Sequence, residues 1–418
     1  MENKLFPKLG LSSTIVILIA STLSTSVFAW GSATHTYFAK ELGNKHGVMN
    51  RQEMYGSVLP DMFNLMFDYP YRDYLYSETH YNFMKVVDIA TSGENKAFAY
   101  GFASHNEKWG ADYTAHISAA TNPGEGYVVR ERKILAPLLE PEIEAFLAAN
   151  AISYTPELVE ELALAVADSS IEFAVDLLVS QNEDKSIGGQ MLTAAKFRSS
   201  SVPVLLTSAY AGGLAEQAGI PYSEAAAMVT ATEKEFKEYM ELYGGILIQE
   251  NAADLMAELG AELAETILEK KYGIEVDVPP ELVKTFLLEA LELVEDDYSA
   301  ELAASLDYIE EQLQAHGIET HYEPEEREFS LSQNYPNPCN LETAIEYSLA
   351  ESCHVTLKVY NLAGQLVKTL INEYQQAGFY KITWHGDNDA GKEVASGVYL
   401  YQIKAGGFVS TKKMAVLK

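Results

Sequence analysis

Five of the nine histidines fall between residues 35 and 116, and aspartates are interleaved with them. His35 follows Trp30 closely, Asp61 sits in Pro60-Asp61, and His80 in Glu78-Thr79-His80-Tyr81. His105, Asp112 and His116 then come from Ser104-His-Asn-Glu-Lys-Trp-Gly-Ala-Asp-Tyr-Thr-Ala-His116. Neutral imidazole and carboxylate are the nitrogen and oxygen donors that zinc accepts. Both cysteines, Cys339 and Cys353, lie far downstream, so no thiolate joins them. A sulfur-free donor set favours a catalytic metal over a structural one. A single histidine on an apolar helix is usually a core residue; four with intervening aspartates point to a metal centre.

The elements must bring these donors together. Asp112 and His116 are one helical turn apart and face the same way. His105 shares that face at offset seven, about 10 Å along the axis of a straight helix. Either the chain is bulged near Trp109-Gly110 or His105 and Asp112 serve different ions, and a bulge is expected. Further on, Asp168, Glu172 and Asp176 stand at successive i+4 steps on one helix face, the pattern also shown by a solvated acidic stripe.

The whole chain has 418 residues, 60 acidic against 29 basic side chains and a formal charge of −31, which argues against a polyanion binder with a broad basic surface. Residues 1–29 read as an export signal, with Lys4 and Lys8, an apolar stretch from Ile15 to Leu23, and Val27-Phe28-Ala29 before the cut. Cleavage there makes Trp30 the mature N-terminus, and the product is expected to be secreted or displayed at the cell surface after passage through the periplasm. Residues 30–328 hold 52 acids and 19 bases, whereas 329–418 hold seven and eight. Helical spacing of apolar residues over Leu138–Asn150, Pro156–Ser180, Ser223–Tyr243, Ala252–Lys271 and Pro280–Gln314 predicts a mainly α-helical domain at 30–320. After a linker at 321–328, short alternating runs predict an all-β immunoglobulin-like sandwich at 329–418. The run Tyr243-Gly-Gly-Ile lacks the Lys-Ser/Thr of a phosphate loop.

The order of these donors resembles the zinc-dependent phospholipase C family, which is related to fungal single-strand nucleases. The resemblance covers about residues 30–180. It implies that the freed amine and carbonyl of Trp30 bind zinc, which gives cleavage before Trp30 a purpose. It further implies that Asp61, His80, His105 and Asp112 hold one ion, that Trp30, His35 and Asp112 hold a second, and that Asp112 bridges them. A third ion would take His116 with a later pair. The family has a histidine there, but none occurs between His116 and His316, so Glu172 and Asp176 are the substitutes, ahead of Glu125 and Glu131. The count is three zinc ions, or two if the third set is incomplete.

Such a cluster lowers the pKa of bound water towards about 7 and offsets charge on a phosphodiester in its transition state. Asp61 would orient or deprotonate that water, and Glu78 or Glu107 would fix imidazole tautomers. The segment Met62 to Tyr76 supplies Phe63, Phe67, Tyr69, Tyr71, Tyr74 and Tyr76 for an acyl chain or choline headgroup, or for ordinary core packing. A phospholipase C acting on zwitterionic lipid, with transient membrane-surface contact, is the leading expectation. A nuclease or nucleotidase with the same metals remains open, because the short Trp30-to-His35 interval is more nuclease-like. A non-catalytic helical binder also remains.

The tail motifs Gln333-Asn-Tyr-Pro-Asn-Pro338, Val359-Tyr-Asn-Leu-Ala-Gly364, Trp384-His-Gly-Asp387 and Ala395-Ser-Gly-Val-Tyr-Leu-Tyr401 resemble a type IX secretion sorting domain. That implies the type IX machinery as a partner. In an oxidising compartment Cys339 and Cys353 would be free to pair.

Overall fold

The computed structural model describes residues 30–44, 47–65, 70–319, 329–334, 337–339, 342–375 and 378–417. The expected export signal at 1–29 and the expected linker at 321–328 lie outside the described residues. The chain divides into two compact units, residues 1–321 and 322–418.

The first unit is helical. It opens with α1 (Ser32–Leu42), α2 (Val48–Val58) and a 3-10 segment (Leu59–Leu65), followed by α3 (Arg72–His80), α4 (Met84–Ile89) and α5 (Gly93–His105). A π-turn (Tyr113–Ile117) leads into the long pair α6 (Tyr127–Ala149) and α7 (Pro156–Leu178). Then come α8 (Ile187–Lys196), α9 (Val202–Ala218), α10 (Tyr222–Leu247), α11 (Ala252–Tyr272), α12 (Pro280–Val294) and α13 (Tyr298–Ala315). Thr155 starts α7 as an N-cap accepting from Leu158 N, with Pro156 at its first position. Pro137 and Pro141 interrupt hydrogen bonding inside α6 on its exposed face, where water can satisfy the freed carbonyls. Among the described residues no helix is long and apolar enough to cross a membrane.

Two crossings position the donors. Helix α2 packs on α5, and the approach is close because Gly56 and Gly101 face the contact. A Cβ at Gly56 would stand 2.1 Å from Phe98 O, and one at Gly101 1.9 Å from Glu53 O. Helix α7 packs between α6 and α12, which carries its carboxylates inside.

The second unit is an all-β sandwich of two antiparallel sheets. Strands β1 (Ser330–Leu331), β2 (Thr343–Leu349) and β5 (Gly378–Trp384) form one in the order β1-β2-β5. Strands β3 (Cys353–Asn361), β4 (Leu366–Gln375), β6 (Gly397–Ala405) and β7 (Phe408–Val416) form the other in the order β4-β3-β6-β7. Alternation buries Val355, Leu357 and Val359 of β3 with Tyr399, Tyr401 and Ile403 of β6 and Trp384. Tyr401 Oη donates to Ser332 O at 2.8 Å and accepts from Asn334 N at 2.8 Å, tying the first strand to the sandwich. Cys339 and Cys353 are buried free thiols, so the expected pairing is not formed: Cys339 lies beside Val416 of β7 while Cys353 begins β3.

Candidate metal centre

Trp30 is fully buried, its ring 5.3 Å from that of Tyr127 in a stacked arrangement and its Nε1 donating to Thr114 Oγ1 at 3.1 Å. Helix α1 starts two residues later, and Asp176 of α7 caps it from outside. Asp176 Oδ2 accepts from Ala33 N at 2.9 Å and from Tyr243 Oη at 2.9 Å; its Oδ1 accepts from Thr34 N at 2.8 Å and Thr34 Oγ1 at 2.7 Å. The free N–H groups and positive end of α1 suit a carboxylate. Gly31 is required at this junction, because a Cβ there would stand 2.4 Å from Asp176 Cγ. Burial pushes Asp176 up to about 6 against these donors. The expected ligand role of Asp176 is therefore corrected: both its oxygens are engaged in anchoring the first turn of α1, which carries His35.

His105 ends α5, where its Nδ1 meets Ser57 O at 2.7 Å across the α2/α5 crossing. A carbonyl can only accept, so Nδ1 carries the proton and Nε2 points inward. His80 ends α3 with Nδ1 3.0 Å from Tyr76 O, which fixes the same tautomer. The two Nε2 atoms then face each other at 3.2 Å. Asp61, held on the 3-10 segment with Asn64 donating to its Oδ1 at 2.8 Å, places that oxygen 3.4 Å from His80 Nε2 and 3.7 Å from His105 Nε2.

Asp112 completes the arrangement. Its Oδ2 lies 3.0 Å from His105 Nε2 and 3.4 Å from His80 Nε2, while its Oδ1 lies 3.2 Å from His35 Nε2. The seven-residue interval is spanned because α5 stops at His105. Asn106 Oδ1 accepts from Lys108 N at 2.8 Å and Trp109 N at 3.0 Å, and Gly110 packs where a Cβ would lie 2.6 Å from Asn106 N. The chain turns over and restarts in the π-turn. This is a full break in the helix at the expected place, rather than a bulge within one.

Among the described residues two donor sets have their ligand atoms within 4.8 Å of one another: Asp61, His80 and His105; and His35, His105 and Asp112. All five residues are buried. His35 Nε2 and Asp112 Oδ1 have no hydrogen-bond partner despite their proximity. Burial and the neighbouring His105 lower the His35 pKa, keeping its imidazole neutral. Burial alone would also lower His105, but Asp112 and Asp61 push it up to about 9. Burial would raise Asp112, yet His105 and His35 hold it well below the usual carboxylate range. Two inward lone pairs at this separation repel unless a proton or cation lies between them. The donor set, the inward-facing Nε2 atoms of His80 and His105 and the orphaned atoms of His35 and Asp112 fit zinc.

The third set is not assembled in the same way. His116 Nδ1 bonds Glu107 Oε1 at 2.7 Å, and Tyr76 Oη donates to that oxygen at 2.9 Å. Burial opposes protonation of His116, but Glu107 pushes its pKa up to about 9. Asp168, Glu172 and Asp176 are all buried, so the stripe is not solvated. Asp168 pairs with Arg132 Nη1 at 3.1 Å and is pushed up to about 6 by burial. Glu172 is raised by burial and by the charges of Asp168 and Asp61, and its Oε1 has no hydrogen-bond partner. Glu131 bonds Arg130 at 2.6 Å and Glu125 pairs with Lys133, so neither weaker candidate joins the centre. Glu78 bonds Asn82 at 2.8 Å and Lys85 rather than a histidine of the cluster. The carbonyls of Ser57 and Tyr76 orient the imidazoles, and no side-chain pattern announces them. Of the aromatic segment, Phe63 packs edge-on against Tyr210 in the core, Tyr76 stacks 3.8 Å from His80, and Phe67 and Tyr69 lie outside the described residues.

No curated protein matches the chain. Among solved structures, dimeric latent PorU from Porphyromonas gingivalis is 22% identical over 22% of this chain and 9% of its own, with a TM-score of 0.19. PorZ, an essential surface component of the type-IX secretion system of the same organism, is 19% identical over 22% of this chain and 11% of its own, with a TM-score of 0.16. The Pseudomonas fluorescens alkylpurine DNA glycosylase AlkC, bound to DNA containing an abasic-site analogue, aligns with 94% of this chain and 100% of its own at 10% identity and a TM-score of 0.17. The chain thus spans about a tenth of the length of the first two. The family model of the FlgD Ig-like domain matches residues 341–407, so the C-terminal unit is similar to that domain in sequence as well as in its two-sheet fold.

Proposed function

We propose that the helical unit is a secreted zinc-dependent phosphodiester hydrolase, a phospholipase C acting on zwitterionic phospholipid. The observation that carries this reading is Asp112, whose two oxygens face His35 on one side and His80 with His105 on the other. Asp61, His80, His105 and Asp112 would hold one zinc, with His35, Asp112 and the freed Trp30 terminus holding a second. Zinc bound there supplies Lewis acidity, lowering the pKa of water and neutralising charge on a phosphodiester. The protein's own groups do the rest. Ser57 O and Tyr76 O hold the imidazoles in the ligating tautomer. Asp61 orients the attacking water and accepts its proton at Oδ2. Tyr76, stacked on His80 and bonded to Glu107, closes one side of the centre.

With His116 bonded to Glu107 and Asp176 engaged at α1, the third set is incomplete, and the count proposed is two ions. The C-terminal unit is proposed as a type IX sorting module on the strength of its motifs, with the type IX machinery as its partner and the cell surface or exterior as destination. Transient contact with a lipid surface follows from the substrate.

The test uses the chain beginning at Trp30. At least two zinc ions per chain, with chelator-sensitive hydrolysis of phosphatidylcholine and little of single-stranded DNA, is the expected result. Preference for DNA would favour a nuclease, and fewer than two tightly held ions a binding protein.

A further inference from the structure

The helices of residues 252–294 have no part in the metal centre, yet they close a cavity beside it. The cavity has a volume of about 140 Å³, and its walls come from α6, α7, α10, α11 and α12. Phe146, Leu162, Leu263, Ile267 and Phe286 make the lining overwhelmingly apolar. Gly31, Ser32 and Glu172 form one end, together with Tyr239 and Tyr243. That end is tied to α1 through Asp176 and Tyr243 Oη. Leu263, Ala264, Leu282 and Val283 are half-buried and lead outward. Along α11 the lining runs from Gly260 to Leu268, roughly 12 Å of helix. A small volume drawn out over that length suits a slender occupant.

We infer that this cavity binds one acyl chain of a glycerolipid, with the lipid's polar end at Glu172 and Ser32 and its methyl end between α11 and α12. Glu172 is 2% exposed, and its Oε1 has no hydrogen-bond partner, so a buried polar atom is available to an ester or hydroxyl of the occupant. A neutral or zwitterionic amphiphile meets that end without charge repulsion. Gly31 and Ser32 in the lining stand at the start of α1, which also carries His35, so this end of the cavity adjoins the metal centre. In naming the occupant a substrate, this inference rests on the hydrolase reading; chain binding itself does not.

The test is therefore made in two arms on the full chain. In the first, chelator-treated protein is titrated with parinaroyl-lysophosphatidylcholine below its micellar concentration. The parent protein is expected to show saturable binding of one molecule per chain. Ala264→Trp and Val166→Phe, which fill the cavity from α11 and α7, should weaken binding at least tenfold while keeping the parent zinc content and melting temperature. In the second arm, monomeric phosphatidylcholines of increasing chain length should gain about fourfold in kcat/KM per buried methylene, the ratio equivalent to ~0.8 kcal/mol. Both variants should flatten that series and leave hydrolysis of bis(p-nitrophenyl) phosphate unchanged. Absence of saturable binding, or equal binding by two folded variants, overturns the inference while leaving the hydrolase reading intact. Chain binding without zinc or hydrolysis upholds the cavity assignment and removes the hydrolase reading.

Discussion

Asp112 is the residue on which the centre turns. Asp112→Asn keeps its shape but removes the charge that three imidazoles face; at least one zinc per chain should be lost by elemental analysis, and phosphatidylcholine hydrolysis should fall roughly 10²–10³-fold. Asp176 has a different task, anchoring the first turn of α1 with both oxygens. Asp176→Ala leaves those buried donors unpaired and should cost about 3 kcal/mol in urea unfolding. The His116–Glu107 pair gives a pH signature in metal-free protein. The folded pKa of His116, raised to about 9, exceeds its ordinary value near 6.5. The folded state therefore binds the proton more tightly, and the pair's contribution, roughly 3 kcal/mol at most, is complete below about pH 6.5 and lost as pH rises through about 9. Glu107→Gln should differ from the parent below that window and converge with it above. Residue type and order group Asp61, His80, His105, Asp112 and His35 with His116; the fold brings the first five together and pairs His116 with Glu107 instead. Asp176 was misread because i+4 spacing shows that carboxylates share a face, not which backbone donors arrive to occupy them.

At the scale of elements, the centre depends on two devices that side-chain patterns describe poorly. One is the close crossing of α2 and α5, which delivers Ser57 O to His105. Gly101→Ala should force those helices apart, costing about 1–3 kcal/mol of stability and weakening zinc binding about 10–100-fold, measured by competition with a chromogenic chelator. The other is the break after His105. The sequence spacing favours an irregularity near Trp109-Gly110 over separate ions for His105 and Asp112, and Asn106 as a local acceptor makes it a complete stop rather than a bulge. Amphipathic periodicity located α7 and α11 to within two residues because each has one face against the core. It missed the first eleven residues of α6, from Tyr127 to Pro137. It also merged α12 with α13, whose short break at Glu295–Asp297 lacks glycine or proline. Helix α9 escaped it, since α9 is apolar on most sides and carries little periodic signal.

For the whole molecule, the excess of acid over base from residue 30 to 328 and the near balance beyond it coincide with the division into a helical and a β unit. The acidity is partly internal: Asp61, Asp112, Asp168, Glu172 and Asp176 are all buried in the helical unit. Such a concentration of carboxylates is costly without cations, so chelator should lower the melting temperature of the helical unit while leaving the β unit's transition in place. What joins these scales is the claim that the buried donors exist to hold two cations about one shared carboxylate. Anomalous diffraction at the zinc edge, on crystals of the chain beginning at Trp30, tests it most directly. Two peaks are predicted, one among Asp61, His80 and His105 and one beside His35, with Asp112 reaching both; density without a peak between His80 and His105 would contradict the account.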